Sequence, residues 1–223
     1  MTDIQTIEKL IESKSIIGSK KGTMTFSFAD VNIVLKNKDI IGNVLQSWFG
    51  EWLRSNGVHW TPGIHSQNWP DFILSDGSHL ELKTFDATAN PNFDLANFDA
   101  FTRCLYEGHV ERLDTLHLVF SYQLNPINGE VVITDYWIKP MWQLTGPSST
   151  NSLSLQVKQG VPVNIRPKNW RSNKTEIFSS RRDFVLAIDK ALQHFNTNTN
   201  TNRYPNWFQK IEKYYKEKFQ KKL

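Results

Sequence analysis

Hydrophobic positions along this chain follow two rhythms, and the change from one to the other marks out its elements. The helical rhythm is plainest between Asp39 and Asn56, where Ile41, Val44, Leu45, Trp48, Phe49, Trp52 and Leu53 recur three and four residues apart as one stripe. Asp39 is placed to cap the start of that helix and Gly57 to end it. A shorter helix is expected over 3–13. Strand-like runs follow at Val58–Thr61, in a hairpin over 70–85, and at Leu116–Tyr122 and Val131–Trp137, the last two joined through a loop containing Asn128-Gly129. Between them, Asn90-Pro91-Asn92 introduces a helix from about Phe93 to Glu107 with Leu95, Phe98, Thr102 and Leu105 on one side. Helix, three strands, helix, strand, strand predicts a mixed β-sheet flanked by helices, in the α/β (α+β) class.

The C-terminal part reads differently. Leu153 to Arg166 alternates as a second hairpin around Gln159-Gly160. Ser180 with Asp183 looks like a capping box ahead of a helix whose stripe is Phe184, Val185, Ile188, Leu192 and Phe195. Asn196 to Asn202 alternates Asn and Thr, too polar to pack, and a last helix runs from Trp207 to Leu223. The expected organisation is one domain over 1–195, a linker over 196–202 and a helix within 203–223.

The hairpin over 70–85 carries the candidate chemistry. A two-residue Asp76-Gly77 loop would set Asp71 opposite Leu82 and on the face away from Glu81. A three-residue Ser75-Asp76-Gly77 loop, with glycine left-handed, pairs Leu74 with Ser78 and Asp71 with Glu81. Only the second register gathers Phe72, Leu74, Leu80 and Leu82 on one apolar face, because a one-residue slip turns every side chain over. It is therefore the favoured one, and it leaves Asp71, Glu81 and Lys83 together on the opposite face. Two carboxylates across a hairpin repel unless a cation lies between them. Hard oxygen ligands of this kind suit magnesium, and a lysine beside them can stabilise charge on a phosphate. The plainer alternative is a solvated strand face with an ordinary Glu–Lys pair. Glu51, at the edge of the Asp39–Asn56 stripe, could lean in as a further metal ligand or stay an exposed helix carboxylate.

Charge adds a polyanionic partner to the picture. The formal net charge is +4, but residues 203–223 hold seven Lys/Arg against two Glu, and residues 158–174 hold Lys158, Arg166, Lys168, Arg171 and Lys174 with no acid, leaving about −6 elsewhere. On the second hairpin, pairing would bring Gln156, Lys158, Asn164 and Arg166 to one face, where Lys and Arg suit guanine and Asn and Gln suit adenine in a major groove. Lys168, Arg171 and Lys174, around Trp170, suit phosphate. An edge hairpin with a polar outer face, and a solvated basic tail, are the alternatives. The composition excludes other classes: no apolar run spans a membrane, no signal-peptide pattern is present, and Cys104 is the only cysteine, so neither a disulfide framework nor a cysteine zinc site is available and a cytoplasmic protein is expected.

Pro70-Asp71, nine residues, then Glu81-Leu82-Lys83 resembles the signature of the PD-(D/E)xK nucleases, and the chain is similar to the NgoBV/NlaIV-like type II restriction endonucleases. The similarity runs from the Lys38-Asp-Ile-Ile-Gly-Asn-Val-Leu-Gln helix through Pro91-Asn-Phe-Asp-Leu-Ala-Asn-Phe-Asp to Val157-Lys and Asn164-Ile-Arg-Pro167. That resemblance implies a restriction-endonuclease-like core and Mg2+-dependent cutting of both strands of double-stranded DNA at a short palindrome of the GGNNCC type, and hence a homodimer. It implies Asp71, Glu81 and the Leu82 carbonyl as metal ligands, Lys83 beside the attacking water, and Glu51 as the helix acid of some members. Two rival readings remain: a structure-directed nuclease on the same core, and a non-catalytic DNA-binding protein.

Overall fold

The computed structural model describes residues 2–63, 69–199 and 203–223. In chain order, α1 (Asp3–Ser13) precedes three short strands, β1 (Lys21–Thr23), β2 (Thr25–Phe28) and β3 (Val31–Val34). A 3-10 turn at Lys38–Ile40 leads into α2 (Ile41–Ser55), then β4 (Trp60–Thr61), β5 (Phe72–Leu74) and β6 (His79–Asp86). Next come β7 (Ala96–Asn97), α3 (Phe98–Tyr106), β8 (Leu116–Leu124) and β9 (Glu130–Pro140). The chain finishes with β10 (Leu155–Lys158), β11 (Val161–Ile165), α4 (Arg181–Thr199) and α5 (Trp207–Phe219). The chain divides into two compact units, Met1–Asn90 with Thr115–Ile138, and Pro91–Asp114 with Lys139–Leu223.

The first unit is built on a six-stranded sheet in the order β1-β9-β8-β6-β5-β4, in which β6 and β8 run parallel and β5 pairs antiparallel with both β4 and β6. The expected mixed α/β sheet is therefore present. Its core gathers Phe72, Leu74, Leu80, Leu82, Leu118 and Phe120 from the sheet, Phe49 and Leu53 from α2, and Ile7 and Ile11 from α1. Phe49 meets Phe72 and Phe120 edge-on at 5.7 Å each. Burying a side chain of this size contributes roughly 1.5–3 kcal/mol, and Leu53, Leu45 and Trp52 of α2 pack into the same cluster.

The buried face of α2 is rotated from the expected stripe. Phe49, Gly50 and Leu53 are buried, whereas Val44 and Trp48 are each 38% exposed. Gly50 explains the rotation: a Cβ there would lie 2.6 Å from the Trp60 ring and 3.2 Å from Phe72, so only glycine lets the helix come this close. Asp39 does not cap α2 either. Asn37 accepts from the Asp39 amide at 2.9 Å to cap the 3-10 turn, and α2 begins from Ile40 without a side-chain cap. Gly57, at φ +78°, does end the helix.

In the second unit, β10, β11 and β7 form a three-stranded sheet. The helix expected from Phe93 begins later because Leu95 and Ala96 are spent on backbone pairing with Ile165 of β11, after which the Asn97 side chain accepts from the Ala100 amide and caps α3. Before α4, the Asp183 amide donates to the Ser180 hydroxyl at 3.1 Å and that hydroxyl donates to the Asp183 carboxylate at 2.7 Å. Helix α4 continues through Thr199, over the first four residues of the expected linker, and residues 200–202 lie outside the described residues. Among the described residues no helix is long and apolar enough to cross a membrane.

Candidate active site

The site rests on the register of β5 and β6. Phe72 pairs with Leu80 and Ile73 with His79, and the Leu74 amide donates to the Ser78 carbonyl at 2.9 Å. The loop is therefore Ser75-Asp76-Gly77, with Gly77 at φ +82° and its amide donating back to the Leu74 carbonyl. One residue further along the same ladder, Asp71 falls opposite Glu81. Phe72, Leu74, Leu80 and Leu82 are buried together, as the favoured register requires.

Asp71 is half-buried and held at both oxygens. Its Oδ2 accepts from the Leu82 amide at 2.8 Å, across the hairpin, and its Oδ1 accepts from Gln46 Nε2 of α2 at 2.9 Å. The first bond ties Asp71 to the residue between Glu81 and Lys83. Glu81 is buried at 8% exposure, and its Oε2 lies 3.4 Å from Lys83 Nζ. Both side chains of that ion pair are largely withdrawn from water, so their attraction is screened less than a surface pair's. On the neighbouring parallel strand, Glu81 is registered with the fully buried His117.

Asp71, Glu81 and Lys83 are thus brought to one place. Glu51 is not. Its side chain is 72% exposed and ion-paired with Arg54 at 2.6 Å, because the rotated buried face of α2 puts Glu51 about 200° around the helix from Phe49. Gln46 takes the place on α2 that Glu51 was expected to fill. Its sequence signal is a polar residue three before Phe49 and four before Gly50, inside the buried stripe once that stripe is correctly centred.

Among the described residues there is no group of three or more His, Cys, Asp or Glu side chains able to hold a metal. The oxygen donors at hand are the Asp71 and Glu81 carboxylates. Each Asp71 oxygen spends one lone pair on its hydrogen bond and keeps another. This set fits magnesium, which takes one or two carboxylates and completes its shell with water and phosphate.

The second hairpin presents a looser surface. Gln159 and Gly160 turn it with φ of 50° and 77°, and the β10–β11 register shifts between Gln156 and Val157. Asn164 Nδ2 donates to Gln156 Oε1 at 3.0 Å, so these two amides form one unit. Lys158 is exposed. Arg166 is only partly so, because its guanidinium is ion-paired with Asp94 and bonded to Asn92, both just before β7. In the loop that follows, Arg171 and Lys174 are exposed and Lys168 is half-buried, its amide donating to the Leu144 carbonyl at 2.8 Å.

Comparison with known proteins places this arrangement in a family. The NgoBV restriction endonuclease family matches the chain over residues 1–223. The chain is 35% identical to a protein named type II restriction enzyme NlaIV of Neisseria lactamica, across all of this chain and 93% of that one. It is also 35% identical to the type II restriction enzyme NgoBV of Neisseria gonorrhoeae, across 65% of this chain and 83% of that relative. The solved structure titled NlaIV restriction endonuclease superposes with a TM-score of 0.88 at 32% identity, covering all of this chain and 92% of that one. The chain belongs to the NgoBV restriction endonuclease family, as a type II restriction endonuclease.

Proposed function

We propose that this enzyme hydrolyses both strands of duplex DNA at a short palindrome of the GGNNCC type, with Mg2+ as cofactor and Asp71, Glu81 and Lys83 as the PD-(D/E)xK catalytic set. One observation carries the reading: Asp71 accepts from the amide of Leu82, the residue between Glu81 and its ion-pair partner Lys83. Two acids and a lysine thereby meet on rigid strands that the apolar face holds in register. The family relationship supports the reaction class.

Asp71, Glu81 and the Leu82 carbonyl would hold the magnesium ion, which when bound supplies positive charge to a phosphate otherwise too anionic to attack. The Lys83 ammonium orients the attacking water and donates to the phosphoryl oxygens as charge builds on them. Attack in line forms a new P–O bond and breaks the bond to the 3′-oxygen, leaving a 5′-phosphate and a 3′-hydroxyl. Gln46 fixes the carboxylate plane of Asp71 from the helix side. Lys158 and the Gln156–Asn164 pair offer donors and acceptors to base edges, with Lys168, Arg171 and Lys174 on phosphates. Since Arg166 is engaged by Asp94, it serves the hairpin as a strut until DNA competes for it.

Incubation with unmethylated phage DNA and magnesium, followed by sequencing of the ends, tests this directly. Discrete fragments sharing one palindromic end sequence are expected. A smear, or cuts set by DNA structure rather than by sequence, refutes site-specific cleavage.

A further inference from the structure

The last helix carries a cationic face that the fold itself does not use. Trp207, Phe208, Ile211 and Tyr215 of α5 are buried, the Trp207 Nε1 donates to the Thr102 carbonyl at 3.0 Å, and the Tyr215 hydroxyl donates to Asp114 at 2.8 Å. Of the seven cations over residues 203–223, three are spent within the fold: Arg203 pairs with Asp99 at 3.2 Å, Lys210 Nζ lies 3.6 Å from the centre of the Tyr106 ring, and Lys218 pairs with Glu111. Lys213 shares its charge with Glu217 at 3.8 Å, and the other acid of the helix, Glu212, lies 3.8 Å from Arg182. Lys216, Lys221 and Lys222 are exposed and make no ion pair among the described residues. At about 100° per residue, Lys213 and Lys216 fall on the side of α5 away from Ile211 and Tyr215, and Lys221 and Lys222 follow directly after the helix ends.

We infer that this face is a second DNA-contact surface, which holds phosphates of the duplex outside the sequence that the β10–β11 hairpin is proposed to read. The buried side of α5 fixes the helix, so these cations are presented by an anchored element. The helix macrodipole favours positive charge in the last turn, but Lys218 already supplies it, and Lys221 and Lys222 lie beyond that turn. Ammonium groups are point charges that neutralise phosphates without reading bases. The place of α5 sets which phosphates these are. β11, α3 and α5 belong to one compact unit, and α3 packs against both of the others. Two packing steps of about 8–10 Å put α5 about 16–20 Å from β11, which is about five or six base pairs along a duplex at ~3.4 Å each. A duplex seated on the hairpin therefore meets α5 in its flanking DNA. The choice of DNA over another polyanion rests on the proposed cleavage of duplex DNA.

The test is DNA binding by the full chain without magnesium, so that contact is read independently of cutting. Two duplexes carry one central GGNNCC-type sequence, with flanks of about three and about twelve base pairs on each side, chosen to end before and beyond the reach of α5. Lys216→Gln/Lys221→Gln/Lys222→Gln is expected to bind the long duplex at least about tenfold more weakly than wild type, with a salt dependence shallower by about three units, and to bind the short duplex within about twofold of wild type. The same three positions changed to Arg should bind the long duplex as wild type does. Because all three side chains are exposed, the circular dichroism spectrum should be unchanged. Wild-type affinity and salt dependence on the long duplex in the Gln variant overturn the inference. So does an equal loss on both duplexes, which would mean that the substitutions act on the fold or on the hairpin, and so does a wild-type chain that binds neither duplex. A chain that shows the expected pattern but cuts no DNA once magnesium is added leaves the inference standing and refutes the cleavage reading.

Discussion

Two hairpins in this chain look alike on paper and behave differently, and the contrast bears on where we propose that the chemistry sits. The β5–β6 hairpin buries Phe72, Leu74, Leu80 and Leu82. A slip of one residue would expose all four, so its register has one solution, and Glu81 and Lys83 inherit a fixed position. The β10–β11 hairpin buries only Ile165 fully and shifts register between Gln156 and Val157. With little apolar area to lose, it tolerates the bulge. Catalytic groups need placement within about 0.5 Å, which the first hairpin would offer to the proposed Asp71, Glu81 and Lys83 set; a reader of base edges, the role proposed for the second, gains from a surface that can adjust.

The sharpest way to break this contrast is to remove the packing that creates it. Phe72→Ala should cost about 3–5 kcal/mol of stability in denaturant unfolding, whereas Val161→Ala, at a site 53% exposed, should stay within about 0.5 kcal/mol. Equal costs would mean that burial does not distinguish the hairpins. Gln46→Ala comes next. Losing the donor to Asp71 Oδ1 should lower cleavage by about 10–100-fold with stability little changed, and more magnesium should recover part of the loss. An unchanged rate would make the bond incidental.

On the second hairpin, Lys158→Ala should weaken DNA binding by about 1–3 kcal/mol and relax base preference if the ammonium reads a base. A loss equal for all sequences, with a shallower salt dependence, would assign Lys158 to phosphate instead. The smallest expected effect lies at the end of β6. Hydrogen bonds from Lys38 and Thr88 hold the Asp86 carboxyl down to about 2, from an ordinary carboxylate value near 3.8. A depressed folded-state value means that this stabilisation is present above the ordinary value and is lost as pH falls from about 4 through 2. Asp86→Asn should flatten that part of the stability–pH curve, and an unchanged acid limb would show that the pair contributes nothing.

How much of this was legible in the sequence follows the same physical line. The three-residue loop could be chosen because only one register made an apolar face, and the Asp71–Glu81–Lys83 grouping came with it. The α2 stripe could not be centred, because Trp48 and Val44 look like core by type. What sets the helix face is the absence of a side chain at Gly50, whose meaning depends on Trp60 and Phe72, distant in the chain. That single rotation hid Gln46 and misplaced Glu51. The helix expected from Phe93 starts late for a related reason: Leu95 and Ala96 are apolar in either state, and their strand partner lies near Ile165. Strands β2 and β3 were passed over although Phe26 and Phe28, then Val31 and Ile33, alternate with Ser27 and Asn32 as strand residues do; the ribbon is exposed throughout, so no core confirms that rhythm.

The measurement closest to the central claim is magnesium-dependent cleavage of a plasmid by Lys83→Ala and Glu81→Ala beside the wild-type chain, with DNA binding followed in parallel. Loss of cutting by at least about a thousandfold, with binding to the same DNA retained, is the predicted result. Cutting by either variant at the wild-type rate would contradict it and remove the β5–β6 hairpin from the chemistry.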